Sequence, residues 1–448
     1  MLKKLGEKIN YDNLRVKIAD AEFNKMFNNT LEYSSPARGT WNISHTGMLI
    51  PESHQIFVCA ANCLRGVILT AAEIHSMNRF STIEMKEHMI YDGSMEQTII
   101  DGVCDIIENL KYKPRIILVY TSCMHHFLGI DLDMIYTTLR NKYPDIDFVD
   151  CYMNPTLRKS GMTPDEIMRI RLYRALKKKP LDKKTVLIAG NDLPMRENND
   201  ILKLLKQNNI IKKEITDCKN YDEYLNMADS SFYITTFPSA KKCGDDLEMR
   251  LGGKHIYLTN SFDYDEIKNE LKKLSNILDI KNFDDKYFDT QIKNCEDKFL
   301  EAKNIIADKK ISIDYTYCSR PLSLAKILLD HGFNVDRVYA DSFTGEELND
   351  FNYLKQKYPN LNLYPTINAN MLYADGECKK DEFLAIGQKA AYYTNTDHFV
   401  NVIVGGGMFG FEGIIDTLNM MIDAYNNKKD MMNLVKIKGL GCEECVVG

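Results

Sequence analysis

From about residue 115 onward, short apolar runs alternate with longer amphipathic stretches. The runs fall at Ile116–Tyr120, Phe148–Tyr152, Val186–Gly190, Phe232–Thr236, His255–Leu258, Ile311–Tyr317, Val335–Ala340 and Phe399–Val404. Each is rich in β-branched or aromatic residues, which predicts buried strands. The stretches between them, such as Thr163–Lys178 and Arg320–His331, carry apolar residues at helical spacing. One helix start is explicit. Thr163-Pro164-Asp165-Glu166 combines an N-cap, a proline at the first helical position and a capping-box glutamate. Strand–helix alternation of this kind marks βαβ units and parallel sheets.

Two breaks divide the pattern. Lys177–Lys184 is a charged, proline-containing linker before the fresh strand TVLIAGND, and Asn282–Lys310 is a charged, strandless stretch before KISIDYTYCSR. The predicted fold is therefore α/β, with three consecutive Rossmann-like units near 1–180, 181–305 and 306–448. Their mainly parallel sheets are expected around a central cleft. No strict internal repeat is present.

Composition narrows the class. The 448 residues are 44% hydrophobic and 27% charged, with a net charge of -6. A mildly acidic chain lacks the basic surface that nucleic acid requires. The lysines at 177–179 and 183–184 flank Pro180 and read as a solvated helix end and linker. No apolar run approaches the roughly 18 residues of a membrane helix, and the N-terminus has no signal-peptide core. A cytoplasmic location is expected, so the 12 cysteines should not form a disulfide framework. Cys104, Cys151, Cys218, Cys243, Cys295 and Cys378 are scattered singly and read as buried thiols.

Three other cysteines carry chemistry. Cys123, in IILVYTSCMHH, sits where an apolar run gives way to polar residues, the expected carboxyl end of a buried parallel strand. Ligands in open α/β sheets gather outside such ends. Cys59 and Cys63, in VCAANCLRG, are four residues apart, a spacing that one helical turn would bring to a single face. Three soft ligands from separate segments suit an iron–sulfur cluster better than a lone catalytic thiol. No residue is assigned a catalytic role.

Other motifs are incomplete. Gly405, Gly407 and Gly410 form a GxGxxG after a strand and before a helix, but no later strand offers a ribose-binding acid. Gly405, Gly406 and Gly407 are read instead as a cofactor-binding turn, where backbone approaches a ligand or a neighbouring sheet closely. There is no Walker A sequence, since Gly252-Gly253-Lys254 is followed by His255; any ATP coupling must come from a partner. His125 and His126 are adjacent, so at most one reaches a site, and His45 and His54 are equally ambiguous. Cys442-x-x-Cys445 has three readings: ligands to a shared cluster, a dithiol, or a flexible tail.

Together these features resemble the nitrogenase component 1 family, which includes molybdenum–iron-protein-like subunits, cofactor-assembly scaffolds and dark-operative tetrapyrrole reductases. The resemblance covers essentially the whole chain. SSPARGTWNISHTGMLIPESHQIFVCAANCLRG is similar to the loop carrying the first two cluster cysteines, and TSCMHHFLGIDLDMI to the strand and loop carrying the third. GGGMFGFEGIIDTL resembles the glycine-rich turn of the third domain.

By that resemblance Cys123 matches the third cluster ligand, and either Cys59 or Cys63 the second. The first family cysteine falls near Ser34 or Ser35, where this chain has no thiol. The resemblance therefore implies an iron–sulfur cluster, a [4Fe–4S] centre on Cys59, Cys63 and Cys123 as the simpler expectation, with a larger P-cluster-like centre as the alternative. A fourth ligand would come from a partner subunit, Cys442 or Cys445, or an oxygen donor. The large cofactor of true nitrogenases needs a cysteine near Thr236 and a histidine near Val400; only Cys243 and His398 lie nearby, so dinitrogen reduction is not expected. The implied function is a nitrogenase-like reductase component. It would work as a homodimer, or as a heterodimer with a homologous subunit, served by an ATP-dependent iron–sulfur reductase protein. The alternatives are a metallocluster assembly scaffold and a clusterless structural or regulatory paralogue.

Overall fold

The structure, a computed structural model, describes residues 14–25, 27, 43–153, 161–366, 368, 370–371 and 378–436. Three parallel-dominated sheets carry these residues. A short strand, β1 (Val16–Lys17), precedes β2 (Ser53–Cys59), β3 (Phe80–Glu84), β4 (Ile116–Ser122) and β5 (Asp147–Met153). The last four form a fully parallel sheet in the order β3-β2-β4-β5. The next strands are β6 (Asp182–Ile188), β7 (Ile211–Glu214), β8 (Ser230–Thr235) and β9 (Lys254–Tyr257). They make a second parallel sheet, ordered β7-β6-β8-β9.

The third sheet uses β10 (Lys310–Asp314), β11 (Asn334–Ala340), β12 (Asn362–Pro365), β13 (Phe383–Ile386) and β14 (Phe399–Val400). Its order is β1-β12-β11-β10-β13-β14, parallel except for β1, which pairs antiparallel with β12. The α/β class with parallel sheets is thus as expected. The chain forms two compact units. Trp41–Pro194 with Asn209–Tyr257 holds both four-stranded sheets. Met195–Asn208, the chain from Leu258 onward and the N-terminal segment make the unit that holds the third.

Each predicted run contains a strand, although Phe399–Val404 is strand only at Phe399–Val400 and turns into a 3-10 helix at Val404, while β1, β2, β3, β7, β12 and β13 carry no clear periodic signal. β2 shows why. It is buried along its length although it opens with Ser53, His54 and Gln55. Each of these side chains is hydrogen-bonded: Arg79 Nη2 donates to Ser53 Oγ at 2.6 Å, His54 contacts Tyr112 Oη and Ser81 Oγ at 2.7 and 2.8 Å, and Gln55 Nε2 donates to Ser44 O at 2.8 Å, while Gln55 Oε1 has no partner among the described residues. Buried polar groups are tolerated only with such partners, and they erase the hydrophobic signature. β10 is shorter than expected because Tyr317 N–H turns back to Asp314 O at 3.2 Å. The capping box at Thr163 forms as predicted, with Glu166 N–H on Thr163 Oγ1 and Thr163 N–H on Glu166 Oε2 at 3.2 and 2.7 Å.

Side chains alternate across the first sheet. Phe57, Cys59, Leu118 and Tyr120 face one apolar core, where the Phe57 and Tyr120 rings stack at 4.1 Å. Ile56, Val58, Ile117 and Val119 face the other, against Ile99 and Val103 of the helix Met95–Asn109. Cys104 lies in that helix and is buried in the same core, as read from its apolar neighbours. Among the described residues, no helix is long and apolar enough to cross a membrane.

His54 makes the fold pH-dependent. Its burial first, and then the charge of Arg79, hold its pKa down at about 4. Above about pH 6.5 the imidazole is neutral in both folded and unfolded chains, and its stabilising contribution is complete. As pH falls from about 6.5 to about 4 only the unfolded chain takes up the proton, so that contribution is lost. Up to roughly 3 kcal/mol should disappear across this window. Urea unfolding of the parent and of His54→Gln at both ends of the window measures it; an equal pH dependence in the two proteins would contradict the assignment.

Candidate metal centre

β2 is the first strand of its sheet and lies inside it, with β3 on one side and β4 on the other. The gap between the carboxyl ends of β2 and β4 is therefore a topological switch point, where consecutive connections diverge and a crevice opens. Val58 stands opposite Thr121 across that gap. Cys59 follows Val58 as the last residue of β2, and Cys123 lies two beyond Thr121, at the start of the helix Cys123–Phe127.

The chain turns at Ala60 into the helix Ala61–Glu73, and Cys63 falls in its first turn, where its N–H donates to Ala60 O at 2.9 Å. This corrects the one-face expectation. Cys59 belongs to the strand, so it and Cys63 flank a strand-to-helix turn instead of sharing a helical face. Cys59 is buried, Cys63 exposed and Cys123 intermediate. Burial, and then the negative charges of Cys63 and Cys123, push the Cys59 thiol up to about 12. The three sulfurs are thus electrostatic neighbours. Among the described residues, no three His, Cys, Asp or Glu side chains lie close enough to hold a single metal ion.

The histidines play other parts. His125 is buried, and its Nδ1 accepts the Ser122 N–H at 3.0 Å to close a capping box on the helix that Cys123 opens. Residues two apart on a helix do not face each other. Burial lowers the His125 pKa. His126 is exposed. His54 lies near the opposite, amino end of β2, and His45 is buried in the helix Ile43–Met48. A feature absent from the sequence reading is the pair of exposed apolar side chains just after Cys123, Phe127 at 71% and Leu128 at 47%. Their only sequence signal was an apolar dipeptide in a polar turn.

Elsewhere, Thr236 is buried at the end of β8, and Cys243 is packed into the core beside Leu247. Val400 is buried at the end of β14, and His398 Nδ1 is bonded to Ala424 O at 2.9 Å. Gly405, Gly406 and Gly407 all have positive φ. Arg196 Nε donates to Gly406 O at 3.1 Å, while Arg196 N–H and Asn199 Nδ2 donate to Gly407 O at 3.0 and 3.3 Å. Gly410, at φ +75, lies against Asp200: a Cβ there would stand 2.3 Å from Asp200 Oδ2. That carboxyl group accepts the Glu412 N–H at 3.2 Å, so the first turn of the helix Gly410–Asn426 already has an acceptor from the chain itself. Asp200 comes from a distant segment, and no local motif announced it. Ser34, Ser35, Cys442 and Cys445 lie outside the described residues.

A family model, nitrogenase component 1 type oxidoreductase, matches residues 46–426. The chain belongs to this family. The solved structure "Nitrogenase Cp1 at pH 6.5" superposes with a TM-score of 0.65 at 14% identity, covering 93% of this chain and 96% of that one. "Nitrogenase Cp1 at pH 5" gives 0.60 at 12% identity, covering 93% and 94%. At such low identity these likenesses speak for the fold. No curated protein matches the sequence.

Thiol reactivity checks the placement of the cysteines in this family member. In the reduced, metal-free protein, brief iodoacetamide treatment should label Cys63 well before Cys59, because only Cys63 is exposed and burial keeps Cys59 protonated. Peptide mapping by mass spectrometry reads the order. Equal or faster labelling of Cys59 in folded protein would refute the placement.

Proposed function

We propose that Cys59, Cys63 and Cys123 hold an iron–sulfur cluster, [4Fe–4S], in a nitrogenase-like reductase component. The observation that carries this reading is the placement of three thiols, two on the turn after β2 and one just after β4, at one switch point. The donor set fits. Thiolates are the soft ligands such clusters require, and their spacing suits a multi-iron group better than a single ion. When bound, such a cluster accepts and passes on single low-potential electrons. The chain's own part is to seat it: β2 supplies a donor anchored in the core, while the two helix starts supply donors nearer solvent.

The source of the electrons is an ATP-dependent iron–sulfur reductase protein, as the family resemblance implies. The fourth ligand comes from outside the three thiols, from a partner subunit, Cys442 or Cys445, or an oxygen donor. Dinitrogen is not the substrate. By the family resemblance the large cofactor needs a thiol near Thr236 and an imidazole near Val400, while Cys243 is sealed in the core and His398 is bonded to a carbonyl. A second reading, a metallocluster assembly scaffold, is favoured by the exposure of Cys63, which suits cargo that is handed on. Turnover separates the two: a reductase consumes electrons in proportion to product, and a scaffold releases its cluster once to an acceptor.

Anaerobically purified or reconstituted protein should show a cluster by visible and EPR spectroscopy, with matching iron and sulfide counts. Cys123→Ala should lose that iron while circular dichroism stays near the parent, because Cys123 opens a short helix and supports little of the core. Cys104→Ala should keep the full count. Iron retained by the Cys123 variant would sink the assignment.

The exposed Phe127 and Leu128 beside Cys123 support a subunit contact at this site. The protein should be an obligate dimer, alone or with a homologous subunit, with the three cysteines close to the contact. Analytical ultracentrifugation of the protein with and without the homologous subunit, and of Phe127→Asp, tests it. A monomer under all conditions, or an unchanged dimer in the variant, contradicts the proposed contact.

A further inference from the structure

The first N–H groups of an α-helix have no acceptor within the helix. The helix Ala61–Glu73, 13 residues long, starts directly after the Cys59–Ala60 turn, and among the described residues no side chain caps its first turn. Alanine, at its N-cap as Ala60, is among the poorest residues for that position. Cys63 N–H turns back to Ala60 O, but the N–H groups of Ala61 and Asn62 have no acceptor among the described residues. Cys59, beside the same turn, is 0% exposed, and its sulfur has no hydrogen bond among the described residues. Among the described residues, a buried thiol without a partner and two open amides therefore share the strand-to-helix turn that contributes two of the three thiols.

We propose that the backbone amides of Ala61 and Asn62 donate hydrogen bonds to the sulfur of the cluster held by Cys59, Cys63 and Cys123, and so set its reduction potential. The inference rests on the cluster reading above and names the groups of this chain that tune the site. Amide donors and the positive end of a helix stabilise negative charge. Reduction adds an electron to the cluster, so N–H···S bonds favour the reduced form and raise the potential. Asn62 and Ala61 are positioning groups and take no part as ligands.

Ala61→Pro isolates one donor. Proline suits the first helical position, where it removes an N–H without breaking the helix. Ala60, at φ -63 and ψ 150, already has the extended backbone that a residue before proline needs. The experiment is an EPR-monitored potentiometric titration of anaerobically reconstituted parent and variant, with iron counts and the melting temperature of each apo-protein. The expected result is an unchanged iron count, an apo-protein at least as stable as the parent, and a midpoint potential shifted to a more negative value. Ala60→Ser provides a second route. Its hydroxyl should accept the open Asn62 N–H, raise the apo melting temperature and also shift the potential negative. A loaded Ala61→Pro protein with the parent potential overturns the inference while leaving the cluster reading intact. If Ala61→Pro fails to fold, Ala60→Ser decides alone: a raised apo melting temperature with an unmoved potential overturns it. A parent protein that takes up no Cys123-dependent iron overturns the cluster reading, and this inference with it.

Discussion

Parallel strand order is the constraint on which the rest of the structure depends. A strand that begins a parallel sheet inside it must send its next two connections to opposite sides, because right-handed crossovers cannot share one path. At the carboxyl ends the chain then parts, and no loop crosses the gap. β2, β6 and β10 are all such strands. Each sheet therefore opens a crevice that something must fill, since backbone and side chains ending there would otherwise be buried without partners.

Two of the three crevices are filled by charged groups of the chain itself. Beyond β6 and β8 the buried Arg169 reaches Asp165 at 3.1 Å and both oxygens of Asp192 at 3.1 Å, and also bonds Gly190 O. Removing one partner from such a buried set costs about 3–5 kcal/mol, so this gap is closed by its electrostatics. Beyond β10 and β13 the buried Asp314 accepts the N–H groups of Thr316 and Ala390 at 2.8 and 2.7 Å. Gly387, at φ +107, admits it, since a Cβ there would lie 2.3 Å from Asp314 Oδ2. The first crevice differs. At its strand ends stand three thiols, which are poor partners for each other and good ones for iron.

How much of this could be read from the sequence follows from where the signal lay. Cys123 was placed at a strand end because Ile116–Tyr120 is an unbroken apolar run, and the structure puts it one residue past β4. Cys59 was misplaced on a helix because β2 begins with three polar residues whose partners, Arg79, Tyr112, Ser81 and Ser44, are far apart in sequence. The Thr163 capping box was readable because its chemistry is complete within four residues. The glycine-rich turn was half readable. Its positive φ angles were implied by the glycines themselves. Arg196, Asn199 and Asp200, which bond the turn and the helix it leads into, come from a segment about 200 positions away and left no local trace. Local chemistry leaves a mark in sequence; long-range pairing does not.

The gradation of exposure across the three thiols carries the remaining argument. Cys59 is anchored at the end of a fully buried strand, Cys123 is intermediate, and Cys63 is exposed. The site thus has one wall made by the core and one face open to what lies outside. Burial makes Cys59 hard to ionise by itself, so in the cluster proposed above its thiolate would form together with metal binding. An isolated buried thiol would be an inert packing residue. Placed beside two more accessible sulfurs, it is, on the reading proposed above, the innermost of three donors. Such a geometry favours a group large enough to touch all three donors at once, and leaves its outward side for a ligand that this crevice does not supply.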